Sequence, residues 1–212
     1  STAQIAALTT QQINNLPTTN TSALTTAQIA QGLTTAQIAA FETSDVASLS
    51  ATQIVAFTTA QLLSGLTTSQ VAALSDSAVA ALTTQQINSG LTTAQVAALS
   101  SSGVAGLSTV QINSGLTTAQ VAALTATQIG QLSETQLSAG FSTAQVAALS
   151  TAGIAALDAT QVAALTTPDI VALTSAQFMA MTTAQIAAIN STQVTVIDVA
   201  DVTALKTNQI AA

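Results

Sequence analysis

Apolar and polar residues follow one another along this chain with a period of eight residues, which widens to nine at five places. Apolar side chains hold the fifth and the last position of nearly every period, Thr21 being the exception at the fifth. A spacing of three between apolar positions fits one face of a helix, whereas a strand needs strict alternation. The chain divides without remainder into 26 repeats, numbered here in order, which begin at Ser1, Thr9, Pro17, Thr25, Thr34, Glu42, Ser50, Thr58, Thr67, Ser75, Thr83, Thr92, Ser100, Ser108, Thr117, Thr125, Ser133, Ser142, Ser150, Asp158, Thr166, Thr174, Thr182, Asn190, Asp198 and Lys206.

Each repeat carries the signature of a helix start. The first position is Ser, Thr, Asp or Asn in 23 of the 26 repeats, and the fourth is Gln in 19. A first-position hydroxyl and a Gln three residues later form the reciprocal capping box, and the apolar residues on either side form a hydrophobic staple. Ala dominates positions six and seven and favours helix. The pattern therefore predicts a short helix that restarts in every repeat.

The nine-residue repeats carry an extra Gly before their last residue, at Gly32, Gly65, Gly90, Gly115 and Gly140. Gly suits a left-handed cap at a helix C-terminus, so we expect that conformation here. From Gly65 onward these glycines recur every 25 residues, which indicates three repeats per coil. The interval from Gly32 to Gly65 holds one further repeat, which predicts a shift of phase there.

Two other folds fit the pattern less well. A β-solenoid would need alternating apolar residues and turn residues that most repeats lack. A continuous helix would turn its apolar stripe by about 80° per repeat around the rod. Helices this short are marginal alone and must stack. The sequence thus predicts an all-α solenoid of short capped helices, forming a single array over residues 1–212. Its predicted core includes Ile29, Val71, Val96, Val121, Val146, Leu74, Leu99, Leu124 and Leu149.

Composition excludes several functions. Hydrophobic residues make up 49% of the chain and charged residues 4%, which is too apolar for a disordered protein. Polar residues interrupt every stretch of 18, so no membrane span is expected. With Lys206 as its one cation and a net charge of −7, the chain is not expected to bind nucleic acid or anionic membranes. It has no Cys and therefore no disulfide or thiolate metal site.

The ionisable residues are explained by capping. Eight acids all fall in predicted first helical turns, where negative charge is favoured, so we expect no catalytic, cofactor-binding or metal-binding residue. Asp198 and Asp201 come closest to a calcium site but supply too few oxygens. Phe178, Met179 and Met181 cluster at helical spacing and are expected to belong to the core. The acids are Glu42, Asp45, Asp76, Glu134, Asp158, Asp169, Asp198 and Asp201.

The repeated LTTAQVAAL and LTTAQIAAL strings resemble tandem repeats of very large bacterial secreted or surface proteins of the adhesin type. The resemblance extends from STAQIAAL at Ser1 to KTNQIAA at Lys206 and implies an extracellular location with an adhesive, stalk-like or filament-forming role. Calcium-binding nonapeptides of the RTX type are absent. The Leu-Thr-x-x-Gln-Val start is also similar to TAL-effector repeats, but the 34-residue period and the basic residues are missing, so DNA reading is not implied.

The favoured function is structural: a rod, filament, sheath or S-layer-like assembly. Alternatives are an adhesin module that recognises a surface or glycan and, less favoured, an ice-binding protein. Glycan and protein hot spots use Trp, Tyr and Arg, which are absent. The array begins at Ser1 without a leader segment and stops at Ala212 in register. We therefore expect a fragment of a longer rod or self-association, end to end or laterally. Apolar fifth-position residues, such as Ile5 and Ile13 near one end, are expected to be exposed in the same way at both ends.

Overall fold

The fold is entirely helical over the part of the chain that the computed structural model describes, residues 1–211, where no strand occurs. Each of the 26 repeats contributes one helix, as the sequence predicts. Repeats 4 and 14 contribute π-helices and the others α-helices. In chain order the helices are Thr2–Ala6, Thr10–Asn14, Thr18–Thr21, Gln28–Gly32, Thr35–Ala39, Thr43–Ser48, Ala51–Val55, Thr59–Gly65, Thr68–Ala72, Asp76–Ala81, Thr84–Gly90, Thr93–Ala98, Ser101–Ala105, Gln111–Gly115, Thr118–Ala123, Ala126–Gly130, Glu134–Gly140, Thr143–Ala148, Thr151–Ala156, Ala159–Ala164, Thr167–Ala172, Ser175–Ala180, Thr183–Ala187, Ser191–Val194, Val199–Ala204 and Thr207–Ile210.

In most repeats a capping box fixes where the helix begins. In repeat 9, the Thr67 hydroxyl accepts the backbone N–H of Gln70 at 3.2 Å, and the Gln70 Oε1 accepts the backbone N–H of Thr67 at 2.8 Å. The π-helical repeats start in the same way, with Thr25 and Gln28 exchanging both bonds. At Lys206 only the return bond to the backbone is made. These bonds satisfy backbone N–H donors that would otherwise lack a partner.

The chain forms two compact bodies, Ser1–Leu107 and Ser108–Ala212, and in each of them the helix of one repeat packs on the helix three repeats later. In the N-terminal body, for example, repeat 5 contacts repeat 8 and repeat 8 contacts repeat 11. In the C-terminal body, repeat 16 contacts repeat 19 and repeat 19 contacts repeat 22. Each body therefore winds with three repeats per coil, as the 25-residue spacing of glycines predicts.

The core of each body consists of the fifth and last residues of the repeats. Fifth-position side chains are at most 1% exposed from repeat 4 to repeat 22, and last-position side chains are buried from repeat 3 to repeat 23. All nine predicted core residues are buried, which confirms that prediction. At about 25 cal/mol per Å² of apolar surface, this burial is the main driving force for stacking helices that are too short to persist alone.

The inserted glycines do not adopt the left-handed cap that the sequence analysis expects. No described residue has a positive φ angle. Instead, the ninth residue widens the last turn: the N–H of Leu33 bonds the carbonyl of Gln28, five residues back, and Leu66 bonds Gln61 in the same way. In eight-residue repeats the last N–H bonds a carbonyl three residues back, as from Leu74 to Val71. The extra residue is absorbed inside the helix, as in a π-bulge.

Steric room explains the glycine at this position better than backbone freedom does. A Cβ on Gly65 would lie 3.1 Å from Cβ and Cγ2 of Ile38 and 3.4 Å from the Cα of Thr35, both in the repeat stacked beneath it. A Cβ on Gly140 would meet Ile112 only at 3.5 Å, an ordinary van der Waals distance. The glycine side of one coil thus receives a fifth-position side chain of the coil before it.

Gly65→Ala should therefore destabilise the protein by about 1–3 kcal/mol, since it overpacks a β-branched side chain and backbone that have little room to move. Gly140→Ala is the matched control and should be neutral or slightly stabilising, because the space exists and Ala favours helix. Urea unfolding followed by circular dichroism measures both variants. Equal effects at the two positions would contradict the steric explanation.

Thr21, the exception in the apolar pattern, places a hydroxyl in the core. Its side chain is fully buried, and its Oγ1 has no hydrogen-bond partner. A buried polar group without a partner loses its hydration and gains nothing in return, a cost of about 1–3 kcal/mol.

Thr21→Val should consequently stabilise the protein by about 1 kcal/mol or more, because the isosteric methyl removes the buried hydroxyl. Thr19→Val, on the exposed face of the same helix, is the control and should give no gain. The midpoint of urea unfolding reports the difference. A loss of stability at position 21 would mean that the hydroxyl has a stabilising partner.

Candidate assembly surfaces

The eight acids lie where the sequence analysis predicts, at helix starts. Glu42, Asp158 and Asp198 occupy N-caps, and the other five lie in the first turn. At Asp158 the hydroxyl of Thr160 donates to Oδ1 at 2.7 Å, and the backbone N–H of Gln161 donates at 2.7 Å. These bonds, the Thr160 hydroxyl first, hold the pKa of Asp158 below its ordinary value. The Asp158 carboxylate thus has local structural partners.

Asp198 and Asp201, the pair weighed as a calcium site, are engaged separately. Asp198 Oδ1 accepts the N–H of Ala200 at 2.8 Å, and Asp201 Oδ1 accepts the hydroxyl of Ser175 at 2.6 Å. Over residues 1–211, no three acidic, His or Cys side chains come together as metal ligands. Nor does any helix in that range have the length and apolar character needed to cross a membrane.

Of the apolar cluster in repeat 22, Phe178 and Met181 are buried, as expected for core residues, whereas Met179 is 39% exposed. Met179 occupies position six of its repeat, on the outer side of the coil. The cluster therefore divides between core and surface.

The fourth-position Gln has a second role that the capping box does not reveal. In repeat 9, Nε2 of Gln70 donates to the carbonyls of Ile38 at 2.9 Å and Phe41 at 2.7 Å, the fifth and last residues of repeat 5. The Gln70 side chain is 2% exposed. Its single amide therefore caps its own helix through Oε1 and caps the C-terminal end of a helix four repeats earlier through Nε2. The bonds join successive coils at a corner.

The same bridge recurs throughout both bodies. In twelve repeats the bond from Nε2 to the last-residue carbonyl four repeats back measures 2.6–2.8 Å. Carbonyls at the end of a helix lack an intrahelical partner, so each bridge satisfies acceptors that the short helix leaves open. The residues that make it include Gln37, Gln53, Gln61, Gln70, Gln86, Gln95, Gln145, Gln161, Gln177, Gln185, Gln193 and Gln209.

Six later repeats replace the bridging Gln in two ways. Ala78, Gly103 and Gly153 offer no side-chain donor, and their N–H groups are capped by the first-position Ser alone. Asp45 and Asp169 accept the return bond of the capping box from the backbone N–H of Glu42 and Thr166 respectively. Their carboxylates lack the amide donor that Gln offers to the carbonyls of an earlier repeat. Asp201 occupies the same position in repeat 25. These positions interrupt the row of bridges.

The first coil presents unused donors. Gln4, Gln12 and Gln28 form their capping boxes through Oε1, but no acceptor lies within hydrogen-bond distance of their Nε2 groups in residues 1–211. Gln4 and Gln12 are exposed and Gln28 is half-buried. We call these three side chains the donor face. Sequence analysis placed Ile5 and Ile13 on this end, but Ile5 is half-buried and Ile13 fully buried.

The expectation of Ile13 at an exposed end is wrong because fifth-position side chains point toward the following coil. Repeat 2, which holds Ile13, is covered by repeat 5. The related expectation that both ends expose the same apolar side chains is wrong for the same reason. Ala212, named as the second end, lies outside the described residues.

The last coil presents the opposite chemistry. The fifth-position side chains of repeats 24, 25 and 26 are Val194, Val202 and Ile210, and they are 54%, 43% and 59% exposed. The carbonyls of Ile197 and Leu205, which end repeats 24 and 25, accept no hydrogen bond from the described residues. We call these five residues the acceptor face. It encloses an apolar hollow of about 220 Å³ that extends down to Phe178 and Ile186.

A separate apolar groove lies on the side of the C-terminal body. It has a volume of about 490 Å³ and is lined by Thr143, Thr167, Pro168, Val171, Ala172 and Val196. Val171 is 62% exposed there. Exposed apolar surface of this kind marks a possible contact area for another molecule.

A known repeat family matches part of the chain. The ALTTAQ repeat family matches three segments of the chain, residues 38–75, 139–167 and 167–196. The matched segments contain the Thr-Thr-Ala-Gln or Ser-Thr-Ala-Gln start and lie in both compact bodies. The match supports a repeat family for this chain. No curated protein matches the sequence.

Replacing the bridging Gln tests its contribution. Gln70→Glu should destabilise the protein by about 3–5 kcal/mol at neutral pH, because a buried carboxylate would face two carbonyls without a donor. The loss should shrink as pH falls, because burial raises the pKa of the introduced Glu above its unfolded value and protonation of the carboxylate then restores a donor. Gln12→Glu, with the same capping box but exposed, is the control and should change stability by less than about 0.5 kcal/mol. Urea unfolding at several pH values measures both, and equal effects would contradict the bridge.

Proposed function

We propose that this chain is an extracellular structural protein whose coils stack end to end into a rod, filament or sheath-like surface assembly. The observation that carries the proposal is the acceptor face. Val194, Val202 and Ile210 are 43–59% exposed, whereas the fifth-position side chains of repeats 4–22 are at most 1% exposed. A further coil of the same repeat covers the fifth-position side chains of repeats 4–22, so a further coil, from a longer array or from another copy, is a suitable cover here.

Three further properties support a structural role. The repeated chemistry is committed to holding coils together, since first-position hydroxyls and fourth-position amides are engaged in caps and bridges. The acids serve helix starts. The chain also carries one Lys and eight acids among 212 residues, so charge repulsion opposes association of two copies only weakly. Contacts between unlike faces that do not close into a ring generate fibres.

The extracellular location is supported by the resemblance of the TTAQIAAL strings to repeats of large bacterial surface proteins. An adhesin module is the second candidate. The groove around Val171 and Pro168 favours it, because an apolar groove on the side of a stacked rod would remain accessible to a target surface after assembly.

Assembly of the unmodified chain should depend on concentration. Sedimentation velocity should reveal species that grow with concentration, and electron microscopy should show filaments. Val194→Glu should reduce assembly at least tenfold, because it places a charge in the apolar contact. Val171→Glu, an exposed valine in the side groove, is the matched control and should leave assembly unchanged.

A chain that stays monomeric at the highest attainable concentration would contradict the proposed function. Normal assembly of the Val194→Glu variant would instead mean that the acceptor face is not the contact. Loss of assembly in Val171→Glu alone would mean that the side groove, and not the acceptor face, is the contact surface, and would favour the adhesin candidate.

A further inference from the structure

Two repeats place a buried carboxylate where most others place the bridging amide. Asp45 in repeat 6 is 1% exposed, and Asp169 in repeat 21 is 3% exposed. One carboxylate oxygen of each, Oδ2, accepts the backbone N–H of the first residue of its repeat, at 3.2 Å from Glu42 and at 2.9 Å from Thr166. The other oxygen of each, Oδ1, accepts no hydrogen bond from the described residues.

The oxygens without a partner lie on the side of an earlier coil. In the Gln repeats, Oε1 accepts the N–H of the first residue, and Nε2 of the same planar group reaches a helix end four repeats back. Oδ2 takes the place of Oε1 in the Asp repeats, so Oδ1 takes the side of Nε2. The neighbouring repeats keep the same offset: repeats 5 and 7 bond repeats 1 and 3, and repeats 20 and 22 bond repeats 16 and 18. Asp45 therefore faces the end of repeat 2, and Asp169 faces the end of repeat 17.

The carbonyls at these two helix ends lack a donor. The last residues of repeats 2 and 17 are Leu16 and Phe141, and neither carbonyl accepts a hydrogen bond from the described residues. Each place thus brings a carboxylate oxygen and a carbonyl oxygen to the same contact between coils. The repeats with Ala or Gly at the fourth position also lose the amide donor, but they bring no charge to the contact.

The chain has too few cationic side chains to neutralise both carboxylates. Lys206 is its one Lys or Arg, and His is absent. Buried charges in proteins are paired with an opposite charge or coordinate a metal ion. One Lys cannot pair with Asp45 and Asp169 together, so at least one of the two charges has to be balanced by an ion from solution.

We propose that a calcium ion takes the place of the amide in repeats 6 and 21, where it joins Asp Oδ1 to the last-residue carbonyl four repeats earlier. Calcium binds carboxylate and carbonyl oxygens at about 2.3–2.6 Å. Asp is one methylene shorter than Gln, which withdraws its terminal atoms from the carbonyl by about 1–1.5 Å. Since the Gln amides lie 2.6–2.8 Å from this carbonyl, the two oxygens are then about 4 Å apart, as oxygens that share one calcium ion are.

The donor set favours calcium over other metals. All ligands are oxygens, whereas zinc and copper prefer imidazole and thiolate, which the chain lacks. Magnesium needs shorter bonds and a near-ideal octahedron, which an irregular pair of carboxylate and carbonyl does not supply. In repeat 6, the exposed Glu42 provides a second carboxylate at the same helix start. Asp201 is not included, because its Oδ1 accepts the Ser175 hydroxyl at 2.6 Å.

The inference is independent of the proposed assembly, since each site lies between coils of one chain. Each compact body holds one of the two sites, Asp45 in the first and Asp169 in the second. Calcium would therefore hold coils together in each body where the neutral bridge is missing, and the stability of the solenoid would depend on the calcium concentration.

Equilibrium dialysis of the full chain against calcium chloride tests the sites directly. We expect two bound ions per chain, with dissociation constants on the order of 10⁻⁴–10⁻³ M, as in extracellular modules with few carboxylates. Asp45→Asn with Asp169→Asn keeps an oxygen for each capping box but removes both charges, and it should weaken calcium binding at least tenfold. Asp76→Asn with Glu134→Gln, which removes two exposed charges, is the matched control and should still bind two ions.

Urea unfolding gives a second measurement. Calcium at ten times its dissociation constant should lower the unfolding equilibrium constant of each body roughly tenfold, and a chelator should reverse the effect. Sodium chloride at equal ionic strength should not reproduce it. The Asp45→Asn, Asp169→Asn chain should show no response to calcium, and helical circular dichroism establishes that it folds.

Four results would overturn the inference. Dialysis without bound calcium would exclude the sites, and equal binding by the Asp45→Asn, Asp169→Asn chain would place the ions elsewhere. An equal gain in stability from sodium chloride would mean general screening of the negative charge. A gain in stability on acidification, with no response to calcium, would mean that protons and not calcium neutralise the two carboxylates. Each of these results leaves the proposed assembly untouched, because that proposal is tested by sedimentation.

Discussion

The rest of this structure depends on one interaction, the buried side-chain amide that caps two helices at once. Helices of one to two turns leave most of their end groups without intrahelical partners, and such groups cannot be buried alone without a large cost. Gln70 resolves this for two helix ends with one side chain, through Oε1 to Thr67 and Nε2 to Ile38 and Phe41. Glu lacks the donor and Asn is one methylene shorter, which accounts for Gln at 19 of 26 fourth positions.

The bridge also explains the composition. Stability comes from apolar burial and from neutral hydrogen bonds between coils, so the chain can fold with only one Lys and eight acids. The close stacking that brings Nε2 to 2.6–2.8 Å from the last carbonyl of an earlier repeat demands small residues where helices meet. Gly65 is an example, since a Cβ there would lie 3.1 Å from Cβ and Cγ2 of Ile38. Because each bridge runs from a later repeat to an earlier one, the amides of Gln4, Gln12 and Gln28 remain without acceptors, and the carbonyls of Ile197 and Leu205 remain without donors, among the described residues.

Much of the fold is predictable from sequence because its signals are local. The capping residues at the first position, with Gln three residues later in 19 of the 26 repeats, predict the helix starts, and the 25-residue spacing of glycines predicts three repeats per coil. The bridge is not predictable in this way, since its acceptors are backbone carbonyls four repeats away, which no side chain marks. Two expectations failed for related reasons. Gly32 widens a turn rather than adopting positive φ, and Ile13 is buried because side-chain direction relative to the next coil is a tertiary property. Thr21, by contrast, is visible in the sequence as the one polar fifth position.

Hydrogen exchange of Gln side-chain amides, measured by NMR on the folded protein at low concentration, tests the bridge most directly. The account predicts slow exchange of the Nε2 protons of Gln70, Gln177 and Gln185, which donate to buried carbonyls, since exchange there requires coils to separate. The Nε2 protons of Gln4 and Gln12 should exchange at the rate of free glutamine. Free exchange at Gln70, Gln177 and Gln185 while the helices stay folded would contradict the account, because the coils would then be held together without the amides.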